Sequence, residues 1–222
     1  MSRVFRATAS QSLSVSFTVG LYGTAFGAAS IAAGFSIVQT CLLSLLTFSG
    51  ASQFAIVGVM GAGGSALSGI ATASLLGIRN GLYGLRMAPI LKVRGLKRVV
   101  AAQVTIDEST GVAIGQEELG IDAMKFGFWL TGFGVYIFWN FFTLLGALGA
   151  QAMGNPSAWG LDAAVPAAFL GLVWPRLTGW FERTLALSSI ILAIILSPII
   201  SAGLPIIATA LLAAVFGWKE RT

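Results

Sequence analysis

The run from Ile37 to Met60 is apolar along most of its length and long enough to cross a bilayer. It is interrupted near its middle by Phe48-Ser49-Gly50-Ala51-Ser52-Gln53-Phe54. Two phenylalanines bracket five small or polar residues, and a plain spanning helix has no use for them. Lipid offers no hydrogen bonds, so a broken backbone at membrane depth has to face protein or a water-filled cavity. Solute sites in secondary transporters are commonly built at such breaks, where helix ends present free amides and carbonyls. The rest of the chain reads as scaffolding around this break.

Composition agrees with a membrane setting. Of 222 residues, 56% are apolar and only 9% charged, against about 25% charged in a soluble domain. Glycine is abundant, as where small residues let transmembrane helices approach closely. The expected fold is an all-α integral membrane protein, a polytopic helical bundle with broken or re-entrant helices. One transmembrane domain fills residues 1–222, with segments at about 13–33, 36–60, 66–91, 99–116, 126–148, 161–173, 185–199 and 204–218. Met1 to Ser12 carries Arg3 and Arg6 but no cleavage site, so the first span is expected to be retained. Gly23 and Gly27 have a helix-packing spacing.

Charge and missing residue types exclude several chemistries. The net charge of +5 comes from loops near the membrane, which suits orientation against anionic headgroups and not nucleic-acid binding. Cys41 is the single cysteine, so there is no internal disulfide and no cysteine metal cluster. There is no histidine, which removes Ser-His and Cys-His nucleophile pairs, histidine metal ligands and histidine proton relays. No metal, no cofactor and no enzymatic activity are expected. The turn Gly61-Ala62-Gly63-Gly64 lacks the preceding strand that a phosphate loop needs.

The strongest basic loop is Lys92, Arg94, Lys97 and Arg98. If every apolar segment crossed from a cytoplasmic N-terminus, this loop would lie outside, against the positive-inside rule. The conflict goes away if 36–60 and 99–116 each dip in and return on one side. Six crossings with two re-entrant hairpins then put that loop, the Arg176/Arg183 loop and both termini in the cytoplasm. The Ser49–Gln53 and Asp107–Gly111 interruptions would be counterparts in a possible inverted repeat, although no internal sequence identity is visible.

Asp107 and Glu108 are the most expensive residues in the chain, at about 2.5–3.5 kcal/mol per carboxylate near the bilayer centre. Proton coupling or binding of a substrate ammonium would justify them. The plainer alternative is a wet interfacial loop. Arg79 is a lone cation in an apolar stretch, suited to a substrate carboxylate or to Asp107/Glu108, or else to snorkelling to the interface, a reading that fits Arg86 better. Asn80 follows it, and Tyr83 shares its helix face. Ser49, Ser52 and Gln53 offer hydroxyl and amide groups and Gly50 permits close backbone approach, with tight helix packing as the alternative. Asp162 suits a helix N-cap better than a substrate contact. Of the residues in the aromatic stretch Phe126 to Phe142, Trp139 and Asn140 are the ones expected near a cavity. A channel would need a continuous polar lining, and an intramembrane aspartyl protease a Gly-x-Gly-Asp context that Asp162 lacks.

Taken together, Ser49-Gly-Ala-Ser-Gln-Phe-Ala55, Arg79-Asn-Gly-Leu-Tyr-Gly84, Asp107-Glu108, Trp139 and Gly160-Leu-Asp-Ala-Ala-Val-Pro-Ala-Ala-Phe169 resemble the AzlC family over about Ser12 to Leu172. These are the large subunits of branched-chain amino acid exporters, also called BrnF. Gly77 stands where family members carry Asn, and Asn80 where many carry His. The resemblance implies proton-driven export of leucine, isoleucine and valine across the cell membrane, with methionine a further candidate. It also implies a small membrane partner of the AzlD (BrnE) type and no cofactor. On this reading Ser49, Gly50, Ser52, Gln53, Arg79, Asn80 and Trp139 bind substrate, while Asp107 and Glu108 carry the proton.

Overall fold

The computed structural model describes residues 3–154, 158, 160 and 163–220; among them the chain is helical, with no strand. Ten α-helices are α1 (Arg3–Ala32), α2 (Ile37–Leu46), α3 (Gly50–Gly61), α4 (Ala66–Leu91), α5 (Leu96–Gln103), α6 (Asp107–Gly115), α7 (Ile121–Ala152), α8 (Ala164–Val173), α9 (Trp180–Leu196) and α10 (Leu204–Glu220).

The spine is a parallel pair, α1 with α7. Phe5 meets Phe126 at 5.2 Å and Phe17 meets Phe138 at 5.6 Å between ring centroids, so partners advance together along both helices. Glycines allow the close approach. A Cβ on Gly23 would lie 2.5 Å from the Trp139 carbonyl oxygen. One on Gly27 or Gly146 would strike the opposing backbone at Thr143 or Thr24. Because the pair is parallel, the chain between them must return to its starting end.

It returns through two half-length hairpins and one long helix. Ser36 starts α2 with a capping box: its hydroxyl accepts from the Gln39 amide, and the Gln39 side chain accepts from the Ser36 amide. α2 then runs back along α7, through Ser44 to Thr143 (3.4 Å) and the Tyr136 hydroxyl to the Leu45 carbonyl (3.2 Å). Ten residues make about 15 Å of helix, half the ~30 Å hydrocarbon thickness of a bilayer. After a break at 47–49, α3 goes back where α2 came from. Phe54 packs on Phe26, and a Cβ on Gly61 would sit 3.0 Å from that of Ala33. The α2–α3 hairpin therefore begins and ends beside the C-terminus of α1.

α4 packs antiparallel to α3, with the Ser52 hydroxyl donating to the Ala73 carbonyl at 2.9 Å. It runs the full length to a sharp turn with positive φ at Lys92 and Gly95. From that basic end α5 climbs until Val104 packs on Gly132 and the Gln103 amide donates to the Leu45 carbonyl at 2.9 Å. α6 then descends, from Ile106 beside Val135 to Val112 against Gly127 and Gln116 on Thr8 at 2.9 Å. The second hairpin thus starts from the opposite end, and the two tips meet at mid-length. No Lys or Arg occupies the turns 33–36, 62–65 or 197–203 at the other end.

The breaks begin two and three residues earlier than the polar residues suggest. Gly50–Gln53 form the first turn of α3 and Asp107–Thr110 that of α6; the non-helical residues are 47–49 and 104–106. The physical reason is that small, polar and acidic residues suit a helix start, where free amides and the positive dipole end favour them. Gln53 and Ser109 then hold the breaks. The Gln53 amide donates to Thr47 (2.8 Å) and Ser44 (3.2 Å) carbonyls, and Ser109 bridges the Ile106 amide (3.0 Å) and the Val104 carbonyl (2.6 Å).

α8 covers α3, with Phe169 on Phe54 at 6.3 Å. It is ten residues long, shorter than a span. Asp162, expected as its N-cap, lies outside the described residues. The α9–α10 turn lies beside Gly64 and Ser68 through Ala202 and Gly203. Among the described residues two helices, Phe5–Ala32 and Ile121–Ala152, are long and apolar enough to cross a membrane by length and composition.

Candidate functional site

A cavity of about 220 Å³ opens where the hairpin tips meet. At roughly 30 Å³ per water it has the volume of about seven waters, room for a small solute. One wall is polar: Ser49, Arg79, Asn80, Asp107 and Glu108. The facing walls are apolar, with Val19 and Tyr22 from α1, Phe48, Phe54, Ile106, Val135 and Trp139, and Ala167 and Gly171 from α8. Gly50 and Ala51 complete it with the first turn of α3.

The polar wall is built by three helices. Arg79 Nη1 on α4 pairs with Asp107 Oδ2 on α6 at 2.7 Å, both side chains 29% exposed. Such half-buried pairs contribute little net stability, so the pair is better understood as holding a guanidinium and a carboxylate at the cavity. Each keeps unused capacity: Arg79 Nε and Asp107 Oδ1 are buried without a partner, as is Asn80 Oδ1. Glu108 faces the same space and forms no ion pair with a described residue. Ser49 occupies the N-cap of α3, but its hydroxyl turns to Ser52 at 3.2 Å and does not cap the helix. The first amides of α3 are thereby left free next to the cavity.

Trp139 is the base of the apolar wall. Its indole N–H donates to Gln53 Oε1 at 3.0 Å, Phe54 meets it edge-on at 6.4 Å and Phe26 stacks at 6.2 Å. Gly50 lies so close that a Cβ there would be 3.2 Å from Trp139 Cη2.

Of the residues singled out from sequence, Ser49, Gly50, Arg79, Asn80, Asp107, Glu108 and Trp139 share this cavity. Ser52 and Gln53 do not line it. Ser52 ties α3 to α4, and fully buried Gln53 ties Trp139 to the end of α2. Asn140 donates to the Tyr136 carbonyl (2.8 Å) and Tyr83 is not in the lining. Sequence reasoning missed Val19, Tyr22, Val135, Ala167 and Gly171, which look like any lipid- or core-facing residue.

The family model described as AzlC protein matches residues 14–153, which runs from within α1 to the end of α7 and includes every polar residue of the cavity. The chain belongs to the AzlC family. A relative from Archaeoglobus fulgidus, described as an uncharacterized membrane protein, is 31% identical over 165 residues, spanning 71% of this chain and 69% of the relative. No solved structure matches. The AzlC match ends before α8, so the Ala167–Gly171 wall is contributed by a part of the chain outside it.

Proposed function

We propose that this AzlC-family chain is the large subunit of a secondary exporter of branched-chain amino acids, a transporter and not an enzyme. The observation that carries the reading is a cavity with a guanidinium and two carboxylates on one wall and aromatic and aliphatic side chains on the others. An amino acid with an apolar side chain is polar and zwitterionic at one end and apolar at the other. Its ammonium would sit at Glu108 and the open oxygen of Asp107, its carboxylate at Arg79 and the free amides of α3, and its side chain against Phe48, Phe54, Val135 and Trp139. Leucine, isoleucine and valine suit such a pocket, and methionine, unbranched, is a further candidate. Export would follow the proton gradient, with Glu108 as carrier.

The setting would be the cell membrane. Leucines and isoleucines such as Leu67, Ile78, Leu85, Ile137 and Ile194 are exposed around the bundle, a belt that suits lipid. Hairpins of half-bilayer length would dip from opposite leaflets, as the two halves of an inverted repeat would. The end holding Lys92, Arg94, Lys97 and Arg98 would be cytoplasmic by the positive-inside rule, and the N-terminus with it. Cysteine at Gly95 in a Cys41→Ser background is expected to resist an impermeant maleimide in intact cells and react after permeabilisation. Rapid labelling of intact cells would reverse the orientation.

The decisive experiment is flux of labelled leucine in proteoliposomes, with and without a pH gradient. Saturable, gradient-dependent flux is expected, and full rates are expected only when a small AzlD-type membrane subunit is present. Non-saturable conductance would make the chain a channel. Cellular rates from the chain alone would make the partner dispensable.

A further inference from the structure

Below the cavity, toward the basic end, the α1–α6–α7 interface is polar where a membrane bundle would ordinarily be apolar. Thr8 donates to Gln116 Oε1 at 2.9 Å, and Gln116 Nε2 donates to Gln11 Oε1 at 2.8 Å. One turn deeper stand Ser12 and Thr131, both with no exposed surface, and neither hydroxyl has a hydrogen-bond partner among the described residues. Their level follows from the packing. Thr8, Gly127 and Val112 touch; Ser12, Thr131 and Glu108 each lie four residues from one of these, in the direction of the cavity. Four residues is one helical turn on the same face, so Glu108 comes to the level of the two orphan hydroxyls. The Ser16 hydroxyl, 3.3 Å from the Thr131 carbonyl, bounds the group from above.

Two buried hydroxyls without partners are costly in a dry interior. A water satisfies such groups where it finds two to four polar partners; the Ser12 and Thr131 hydroxyls supply two, and Glu108, one turn from Val112 along α6, stands at their level. The other half of the bundle gives the contrast. Its buried hydroxyls are closed on one another, Ser30 with Thr40 at 2.8 Å and Ser44 with Thr143 at 3.4 Å, leaving nothing for water to bridge.

We propose that Ser12 and Thr131 form a built-in water site that joins Glu108, from beneath, to the aqueous face at the basic end. The role given to Glu108 rests on the transport reading above, whereas the water site does not. The charged and titratable groups around Glu108 are Asp107 on its own helix, Arg79 on α4 and Tyr22 on α1, all in the cavity lining, with Tyr83 near Asp107. The described cavity residues of α3, α7 and α8 include none. Glu108 therefore has the cavity on one side and, between it and the basic end, the hydroxyls of Ser12, Thr131 and Thr8 and the amides of Gln11 and Gln116, an asymmetry that suits proton supply from one side.

Thr131→Val removes the hydroxyl at nearly constant shape. If the site is dry, an unsatisfied group is deleted and the protein unfolds at the same or a higher temperature. If it holds water, a partner is lost and Tm falls by about 2–4 °C for a chain of this size. Ser12→Ala, a smaller change, is the second variant. We expect the fall in Tm for both, an ordered water between the two hydroxyls in a sufficiently sharp density map of the wild-type chain, and gradient-driven leucine export reduced about tenfold with leucine–leucine exchange kept. No water in such a map, or unchanged or higher Tm in both variants, overturns the proposal. Water and the fall in Tm with no leucine flux in the wild type would leave the site standing and remove the exporter reading instead.

Discussion

Gly50→Leu is expected to abolish leucine export while leaving the protein folded and in the membrane. The first carbon of any side chain at Gly50 would sit 3.2 Å from the Trp139 ring, and the remaining three carbons of leucine have only the cavity to enter. The indole cannot swing aside easily, because Gln53 holds its N–H and Phe26 and Phe54 pack its faces and edge. Overpacking of this kind costs about 1–3 kcal/mol, which a chain of this size tolerates, but a cavity of about 220 Å³ loses much of the space its substrate needs. Gly50→Ala should give the graded result, weaker transport of isoleucine and leucine than of valine. The checks are flux in proteoliposomes and the amount of chain in the membrane fraction. Wild-type export by Gly50→Leu would show that the cavity is not the solute path.

The second large effect is expected at the two acids, and the structure now separates them. Asp107 is engaged by Arg79, so Asp107→Asn leaves a guanidinium at the cavity without its counter-charge. Removal of one partner from a fully buried pair costs about 3–5 kcal/mol; with both side chains 29% exposed the loss here should be smaller, about 1–3 kcal/mol. The expected readout is weaker leucine binding and lower thermal stability. Glu108 has no such partner, so Glu108→Gln should leave folding intact and remove the pH dependence. Loss of a positioned proton carrier is expected to slow gradient-driven export by about 10²-fold or more, while leucine–leucine exchange, which moves no net proton, survives. If both variants keep wild-type export and pH dependence, neither acid is the coupling site.

How much of this was legible in the sequence depends on which wall of the cavity is considered. The polar wall was legible because charges and a serine–glycine cluster are conspicuous in apolar runs. Arg79, Asp107 and Glu108 come from α4 and α6, with nothing in their spacing to say they meet, yet their cost in lipid marked each of them. The opposite wall was not legible. Val19, Val135 and Ala167 differ from dozens of outward-facing residues only in direction, which folding decides. Ser52 and Gln53 show the complementary difficulty. They were picked out by the same polarity, but their side chains hold the α2 end, α4 and Trp139 in place. Polarity at a helix break signals either a solute or the repair of the break itself, and only geometry tells them apart.

The parallel packing of α1 against α7 has a consequence for biogenesis. The tip of the first hairpin is completed by Trp139, which bonds Gln53 across 86 residues of sequence. At about 5–20 residues per second, a ribosome needs roughly 4–17 s to supply that distance. During this interval α1, α2 and α3 have left the exit tunnel, but the helix against which they are to close has not been made. A half-helix hairpin with free amides at its tip is poorly suited to lipid. In a bilayer that tip would need shelter from outside these three helices until α7 is made. The first quarter of this chain therefore waits on α7, whose arrival closes the tip of the first hairpin.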